Sequence, residues 1–423
     1  MLPDLTPLRR FPAYRRLYVG TVLAGIGSQL AIAALGIQVF ALTGSTAAVG
    51  VLGLFAFVPL VIMGLYGGAL ADRHDRRRVA LGAQTLSWAT SIVAAGLAVV
   101  GTDSVWPLYL VAAVWSGSYA VTAPARSSIY PRILPAGLLP AANALSVIAM
   151  TGSMALGPVI GGFLIDLAGF RAAYALDALI TTAALWGLGS LPPIPPTPPT
   201  DGAPASGGLR SVVDGLGALR AMPNVRMTFV ADIAAMVLAQ PSVLLPAAGA
   251  VVLGGGARTV GYLYAAIAVG GVVSMLVSGR LGSVRRQGRA ILGCIVGWGA
   301  GVAGLGVALI AVRSGLGGPG AGLLIAMAAL AFAGGCDSVS AVFRTTILQT
   351  AAPDHLRGRL QGVFIVVVAG GPRVGGVLGG GLAVAVGEGW TAVLGGLLCV
   401  AAIAALAAVQ PSFLAYDARH PVP

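Results

Sequence analysis

The chain alternates long apolar runs with short polar breaks, and the run lengths carry the first conclusion. Val49 to Leu70 holds no charged residue, and neither does Val79 to Gly101. Each is long enough to cross a hydrocarbon core as a helix, which takes about 20 residues. The same pattern predicts helices near 17–42, 47–71, 78–100, 105–125, 138–166 and 171–190, then 225–251, 258–281, 289–312, 319–345, 359–386 and 389–409. Some connections are very short, such as Thr43-Gly44-Ser45 and Gly387-Glu388-Gly389. The middle differs: Pro192 to Gly208 is rich in Pro, Ser, Gly and Thr and reads as a linker. Leu209 to Met222 regains helical spacing with Arg210 and Arg220, as a short amphipathic helix on the cytoplasmic surface. The expected organisation is a six-helix bundle over 1–190, a linker over 191–222, a second six-helix bundle over 223–410 and a tail over 411–423.

Composition turns these runs into a class. The 423 residues are 57% hydrophobic and only 9% charged, against about 25% charged in a soluble domain. So little polar surface cannot enclose so much apolar mass in water. The chain reads as an all-α membrane protein with twelve transmembrane helices in two pseudo-symmetric six-helix bundles. Its 63 glycines suit close helix approach in a bilayer. Met1 to Tyr18 has four Arg and no apolar centre, so the first helix serves as its own insertion signal.

A net charge of +12 raises nucleic acid as a partner, but the distribution of charge argues for the bilayer instead. Every basic residue is Arg. On a twelve-helix map all fall on one side except Arg171, Arg258 and Arg313 opposite, and Arg373 inside a helix. This asymmetry is the positive-inside pattern, with both termini cytoplasmic and the chain in the cell membrane. Cys294, Cys336 and Cys399 lie in apolar runs without metal-ligand spacing, and His74, His355 and His420 lie in loops or the tail. No catalytic set, cofactor site or metal site can be assembled from them.

The chain also repeats itself. Gly117 to Pro135 aligns without gaps to Gly335 to Pro353, placing Arg126 opposite Arg344, and Gly157-Pro158-Val159-Ile160-Gly161-Gly162 echoes Gly371-Pro372-Arg373-Val374-Gly375-Gly376. Parallel repeats of this kind build transporters whose substrate sits near mid-membrane between the halves.

Between the second and third runs lies Gly68-Ala69-Leu70-Ala71-Asp72-Arg73-His74-Asp75-Arg76-Arg77-Arg78. It resembles the helix 2–3 signature of the major facilitator superfamily, G-x-L-A-D-R-x-G-R-R/K. Gly68, Leu70, Asp72, Arg73, Arg76 and Arg77 match, with Asp75 in place of the second glycine. Leu348 to Arg359, Pro124-Ala125-Arg126-Ser127 and Pro140-Ala141-Ala142-Asn143 extend the likeness to the drug/proton antiporter branch that includes the enterobactin exporter and macrolide efflux proteins. It covers nearly the whole chain apart from the linker and tail. The resemblance implies that Asp72, with Gly68, Arg73, Arg76, Arg77 and Arg126, latches the cytoplasmic side. Arg76 to Arg78 would equally serve as a plain membrane anchor. Gly157, Pro158, Gly161 and Gly162 resemble the antiporter helix-5 bend motif, although Ser153 and Ala144 stand where that motif has glycines, and close packing alone would explain them. Where relatives often carry an acid on helix 1, this chain has Gly27-Ser28-Gln29.

Ionisable groups in a bilayer are costly and mark pathways. Asp232 and Asp337 are the proton-coupling candidates, with an ion pair to Arg373 as the alternative; Asp177 reads as structural. The fold resemblance brings Gln29, Gln38, Trp115, Tyr119, Gln240 and Phe343 to a central cavity, with Met150 and Met154 as an adaptable wall and Arg373 nearby. The expected function is export of a lipophilic small molecule (drug, antibiotic or siderophore-like) by alternating access, as proton antiport, by a monomer. The alternatives are a lysophospholipid flippase, a metabolite importer, or a transport-inactive membrane sensor. No enzyme activity is expected.

Overall fold

The computed structural model describes residues 4–195, 216–276 and 284–422. Among these there is no strand. Numbering only the long helices, the first six are α1 (Pro12–Thr43), α2 (Thr46–Arg73), α3 (Arg76–Val100), α4 (Trp106–Ser127), and two joined within Leu139–Gly189. That long stretch is helical except at Gly169, whose φ of 77° and ψ of 179° no residue with a Cβ adopts readily. Gly169 therefore separates α5 (139–168) from α6 (170–189). The second set is α7 (Pro223–Leu238), α8 (Gly256–Leu276), α9 (Gln287–Arg313), α10 (Pro319–Ala351), α11 (Asp354–Val386) and α12 (Glu388–Val409).

Among the described residues nine helices are long and apolar enough to span a membrane, and the one over Ala136–Gly189 has 54 residues. At about 1.5 Å per residue such a helix far exceeds a core about 30 Å thick, so it must turn back, and Gly169 is the turning point. The amphipathic helix expected over Leu209 to Met222 falls largely outside the described residues. Its end is present as a short 3-10 turn at Leu219–Ala221.

Contacts group the chain into two compact units, Met1–Leu42 with Phe55–Gly208, and Thr43–Leu54 with Leu209–Pro423. In the first unit α3 packs on α4 and on the α5–α6 stretch. Its helix-5 glycines are contact points: a Cβ on Gly157 would lie 2.6 Å from Gln29 Cβ and 2.8 Å from the Ile26 carbonyl oxygen of α1. The helix keeps helical dihedrals through Pro158, and its break comes at Gly169. In the second unit α9 packs on α10 and α12, α8 on α10, and α7 on α11. Here the echo of the glycine motif recurs in space. Gly375 of α11 abuts the Met236 carbonyl of α7, and a Cβ on Gly371 would lie 3.0 Å from Met236 Cβ. Both repeats thus use a glycine pair to bring one helix backbone against another, α5 on α1 and α11 on α7.

One expected helix is shorter than its apolar pattern. The run over 225–251 breaks after Leu238, because Pro241 cannot donate to a helix and disfavours helical dihedrals in the residue before it. The chain resumes at Leu245–Ala247 and ends in a π turn over Ala248–Val252. The backbone freed by the break finds side chains: Trp298 Nε1 donates to the Ala239 carbonyl at 3.0 Å, and the Tyr264 hydroxyl donates to Ser242 O at 2.9 Å. Such replacement is required where water cannot serve.

The tail is docked on the second unit. Phe413 is fully buried, Asn224 Nδ2 donates to Val422 O at 3.0 Å, and Arg285 Nη2 donates to Asp417 Oδ2 at 2.6 Å.

Two outcomes follow from these contacts. Gly157→Val should cost about 1–3 kcal/mol of stability by overpacking α1 against α5, seen as earlier thermal unfolding of purified protein. Hydrogen bonds from Arg285 and the Arg419 amide hold the Asp417 carboxyl below its ordinary value. The tail clasp is therefore complete above about pH 4 and is lost as pH falls through that lowered value. Hydrogen exchange over 411–422 should stay slow at neutral pH and accelerate only in acid, while Arg285→Ala should exchange fast at neutral pH.

Candidate functional site

The most highly charged buried cluster among the described residues joins α7 to α10. Asp232 lies in the third turn of α7. On α10, Asp337, Ser340 and Arg344 follow at helical spacing and share a face. Arg344 Nη1 makes an ion contact with Asp232 Oδ1, and Nη2 donates to Asp337 Oδ1 at 3.2 Å. The two acids differ in wetness. The Asp232 and Arg344 side chains are 4% and 5% exposed, whereas Asp337 is 36% exposed. Asp232 Oδ2 and the fully buried Ser340 hydroxyl have no hydrogen-bond partner among the described residues.

The charge count of this site is informative. Two carboxylates and one guanidinium sum to one negative charge, and an uncompensated charge inside a membrane is expensive. Binding one proton makes the cluster neutral. The buried Asp232–Arg344 pair fixes the geometry, and Asp337 is the more exposed of the two acids.

Both acids are candidates in the sequence, with Arg373 as the alternative partner for an ion pair. The apolar pattern ends this helix near 345, which sets Arg344 at its cytoplasmic end. In the structure α10 runs to Ala351, which buries Arg344 a further turn inside. Both acids pair with Arg344 rather than with Arg373, whose Nη1 donates to the Ala369 carbonyl one turn back on its own helix. The spacing of Asp337 and Arg344, seven residues apart in an apolar run, was the available signal.

The remaining candidates occupy varied settings. In the first unit the Tyr174 hydroxyl donates to Gln38 Oε1 at 2.7 Å, and Trp115 Nε1 donates to Ser87 O at 3.2 Å. Gln29 lies against Gly157, while Tyr119, Met150 and Met154 are exposed on that unit. In the second unit Gln240 sits in the break after α7, next to Gly375, and Phe343 is buried beside Arg344.

The helix 2–3 loop shows what its basic residues hold. Arg77 Nε donates to Leu188 O at 3.2 Å and its Nη2 to Gly189 O, so it caps the C-terminal carbonyls of α6. Arg76 Nη1 reaches Ser128 O at 3.5 Å, just past α4. Asp75, the departure from the signature, is the N-cap of α3: Oδ1 accepts from the Arg78 amide at 3.0 Å and Oδ2 from the Ile194 amide at 2.8 Å. Arg126 is half-buried at the end of α4. The side chains of Asp72 and Arg73, on which the latch expectation rests, lie outside the described residues.

Long apolar helices in two units, with ionised groups buried among them, match solved transporters over nearly their whole length. A single-site mutant of the nucleoside transporter NupG covers 93% of this chain and 98% of its own at a TM-score of 0.73 and 15% identity. A POT family transporter in complex with 5-aminolevulinic acid covers 95% and 97% at 0.72 and 13% identity. The protein is a multi-pass membrane transporter of the major facilitator type, not an enzyme. Within that class the model described as transmembrane secretion effector matches residues 3–420, and the chain belongs to that family. Enterobactin exporters EntS from Shigella boydii serotype 18 and Escherichia coli O127:H6 are each 28% identical over 389 residues, covering 90% of this chain and 88% of theirs.

The two acids should respond differently to neutralisation. Asp232→Asn removes the inter-helix partner of Arg344 and leaves it Asp337 alone, which should cost about 1–3 kcal/mol, read as earlier unfolding in detergent. Asp337→Asn keeps the dry pair and should unfold within a few degrees of wild type.

Proposed function

We propose that this protein exports a lipophilic, siderophore-like small molecule from the cytoplasm by alternating access, driven by inward movement of protons. The observation that carries this reading is the Asp232–Arg344–Asp337 cluster, a buried site that becomes neutral on taking up one proton. Asp337 receives the proton because it is the wetter acid. Neutralising it frees Arg344 Nη2 from its contact along α10 and leaves Arg344 paired across to Asp232 of α7, so proton binding changes how the guanidinium is shared between the two acids. The cargo class is supported by the EntS relatives, exporters of enterobactin by name, and by the few fixed charges in the described helices. Both termini face the cytoplasm, in keeping with the Arg distribution. Asp72 and Arg126 serve as the cytoplasmic latch, with Arg76 and Arg77 securing the helix ends beside it.

The test uses energised inverted vesicles, with enterobactin and a lipophilic dye as probes and a proton uncoupler as control. Wild type should accumulate one of them in an uncoupler-sensitive manner, and Asp337→Asn should lose at least tenfold of that activity. Uncoupler-insensitive accumulation, or full activity in Asp337→Asn, would overturn the coupling assignment.

A further inference from the structure

The first unit buries an acid that the proton pathway just proposed does not use. Asp177 of α6 is 3% exposed. Its Oδ2 lies 2.6 Å from Ser91 Oγ of α3, and Thr181 Oγ1 donates to its Oδ1 at 3.2 Å. On the α1 side it meets backbone: a Cβ at Gly27 would collide with Oδ1. No cation pairs with it among the described residues. Tyr174 is the one other titratable group that faces it, one turn back on α6, and its hydroxyl is given to Gln38. Arg76, Arg77 and Arg78 of α3 lie about 20 Å away at the far end of that helix. α1 offers only Gly27 at this level.

The hydrogens around Ser91 can be counted. Ser91 Oγ is 2.6 Å from Asp177 Oδ2 and 3.1 Å from Ser87 O, but a serine has one proton to give. Ser87 O already accepts from the Trp115 indole at 3.2 Å and, as in any α-helix, from the Ser91 amide. With Asp177 ionised, Ser91 donates to the carboxylate and Trp115 keeps its acceptor. With Asp177 protonated, the carboxyl donates to Ser91 Oγ and the serine proton turns to Ser87 O. That carbonyl has two lone pairs and would face three donors, so the indole gives way. Both states leave the carboxyl hydrogen-bonded, which is what a reversible buried site needs.

We propose that Asp177 is a second proton-binding site, in the first unit, whose occupancy sets through Ser91 how firmly the Trp115 indole is held. The ligand is a proton taken from water and returned to it, with no bond changed besides O–H. Trp115 also lies against Tyr174, ring centroids 6.3 Å apart. Its release therefore loosens an aromatic wall beside Gln38, linking proton occupancy to the shape of that wall.

The test needs no transported substrate, so it stands apart from the export reading. The full chain is reconstituted in lipid nanodiscs and titrated with protons at fixed sodium. Every sample carries Asp337→Asn so that this acid adds no band; infrared difference spectra then report the Asp177 carboxyl, and tryptophan emission is read against Trp115→Phe to isolate Trp115. The Asp337→Asn parent should show both signals with one midpoint. Asp177→Asn should lose both. Ser91→Ala should keep the carboxyl band and lose the Trp115 response, a separation that a merely structural acid would not produce. Signals unchanged in Asp177→Asn, a Trp115 response persisting in Ser91→Ala, or one that follows sodium at constant pH would each overturn the proposal. Should Asp177→Asn not fold, the Ser91→Ala comparison decides alone.

Discussion

Hydrocarbon supplies no hydrogen bonds, so a polar atom inside this protein is costly unless another part of the chain answers it. Most structural choices above are consequences of that constraint. The break after α7 survives because Trp298 and Tyr264 take up the freed carbonyls. The end of α6 is closed by the Arg77 guanidinium at the start of α3. Arg344 is tolerable at depth only because two carboxylates share it, and Asp177 because two hydroxyls turn toward it. Where answering a charge takes one proton more or less, structure and chemistry meet.

The two halves share packing and differ in chemistry. The glycine pairs of α5 and α11 perform the same backbone contact on α1 and α7. The aligned segments of α4 and α10, however, set Tyr119 opposite Asp337 and Arg126 opposite Arg344. One half keeps an arginine without the aligned acid; the other builds a buried triad around its arginine. Repeated architecture is inexpensive to maintain because small residues suffice. Charge inside a membrane is costly enough that each half carries only what it uses.

How much of this was legible in the sequence depends on distance along the chain. Span lengths, the sparse charges and the two repeats are local or periodic, and they led directly to the class. Asp232 and Asp337 stood out because acids in apolar runs are rare. Their partner did not: Arg344 lies close enough to the end of its run to pass for a surface residue, and only the last turns of α10 to Ala351 show it to be buried. Pro241 carried the signal for the break in α7, but hydropathy alone bridged it. Asp75 looked like a departure from a glycine signature and proved to be a helix cap bonded to Ile194, a contact across 119 positions that no local pattern encodes. The Ser91–Asp177 bond, joining helices 86 positions apart, was equally out of reach.

The docked tail changes how the C-terminus should be regarded. A segment past the last membrane helix is commonly treated as a free handle, yet here Phe413 fills a closed socket against Gly288 and the chain returns to Asn224 at the foot of α7. The segment over 411–422 is thus stitched to helix starts more than a hundred positions earlier. A chain clipped at 410 would leave an apolar hole where Phe413 sat. These residues are a further course of the second unit's masonry.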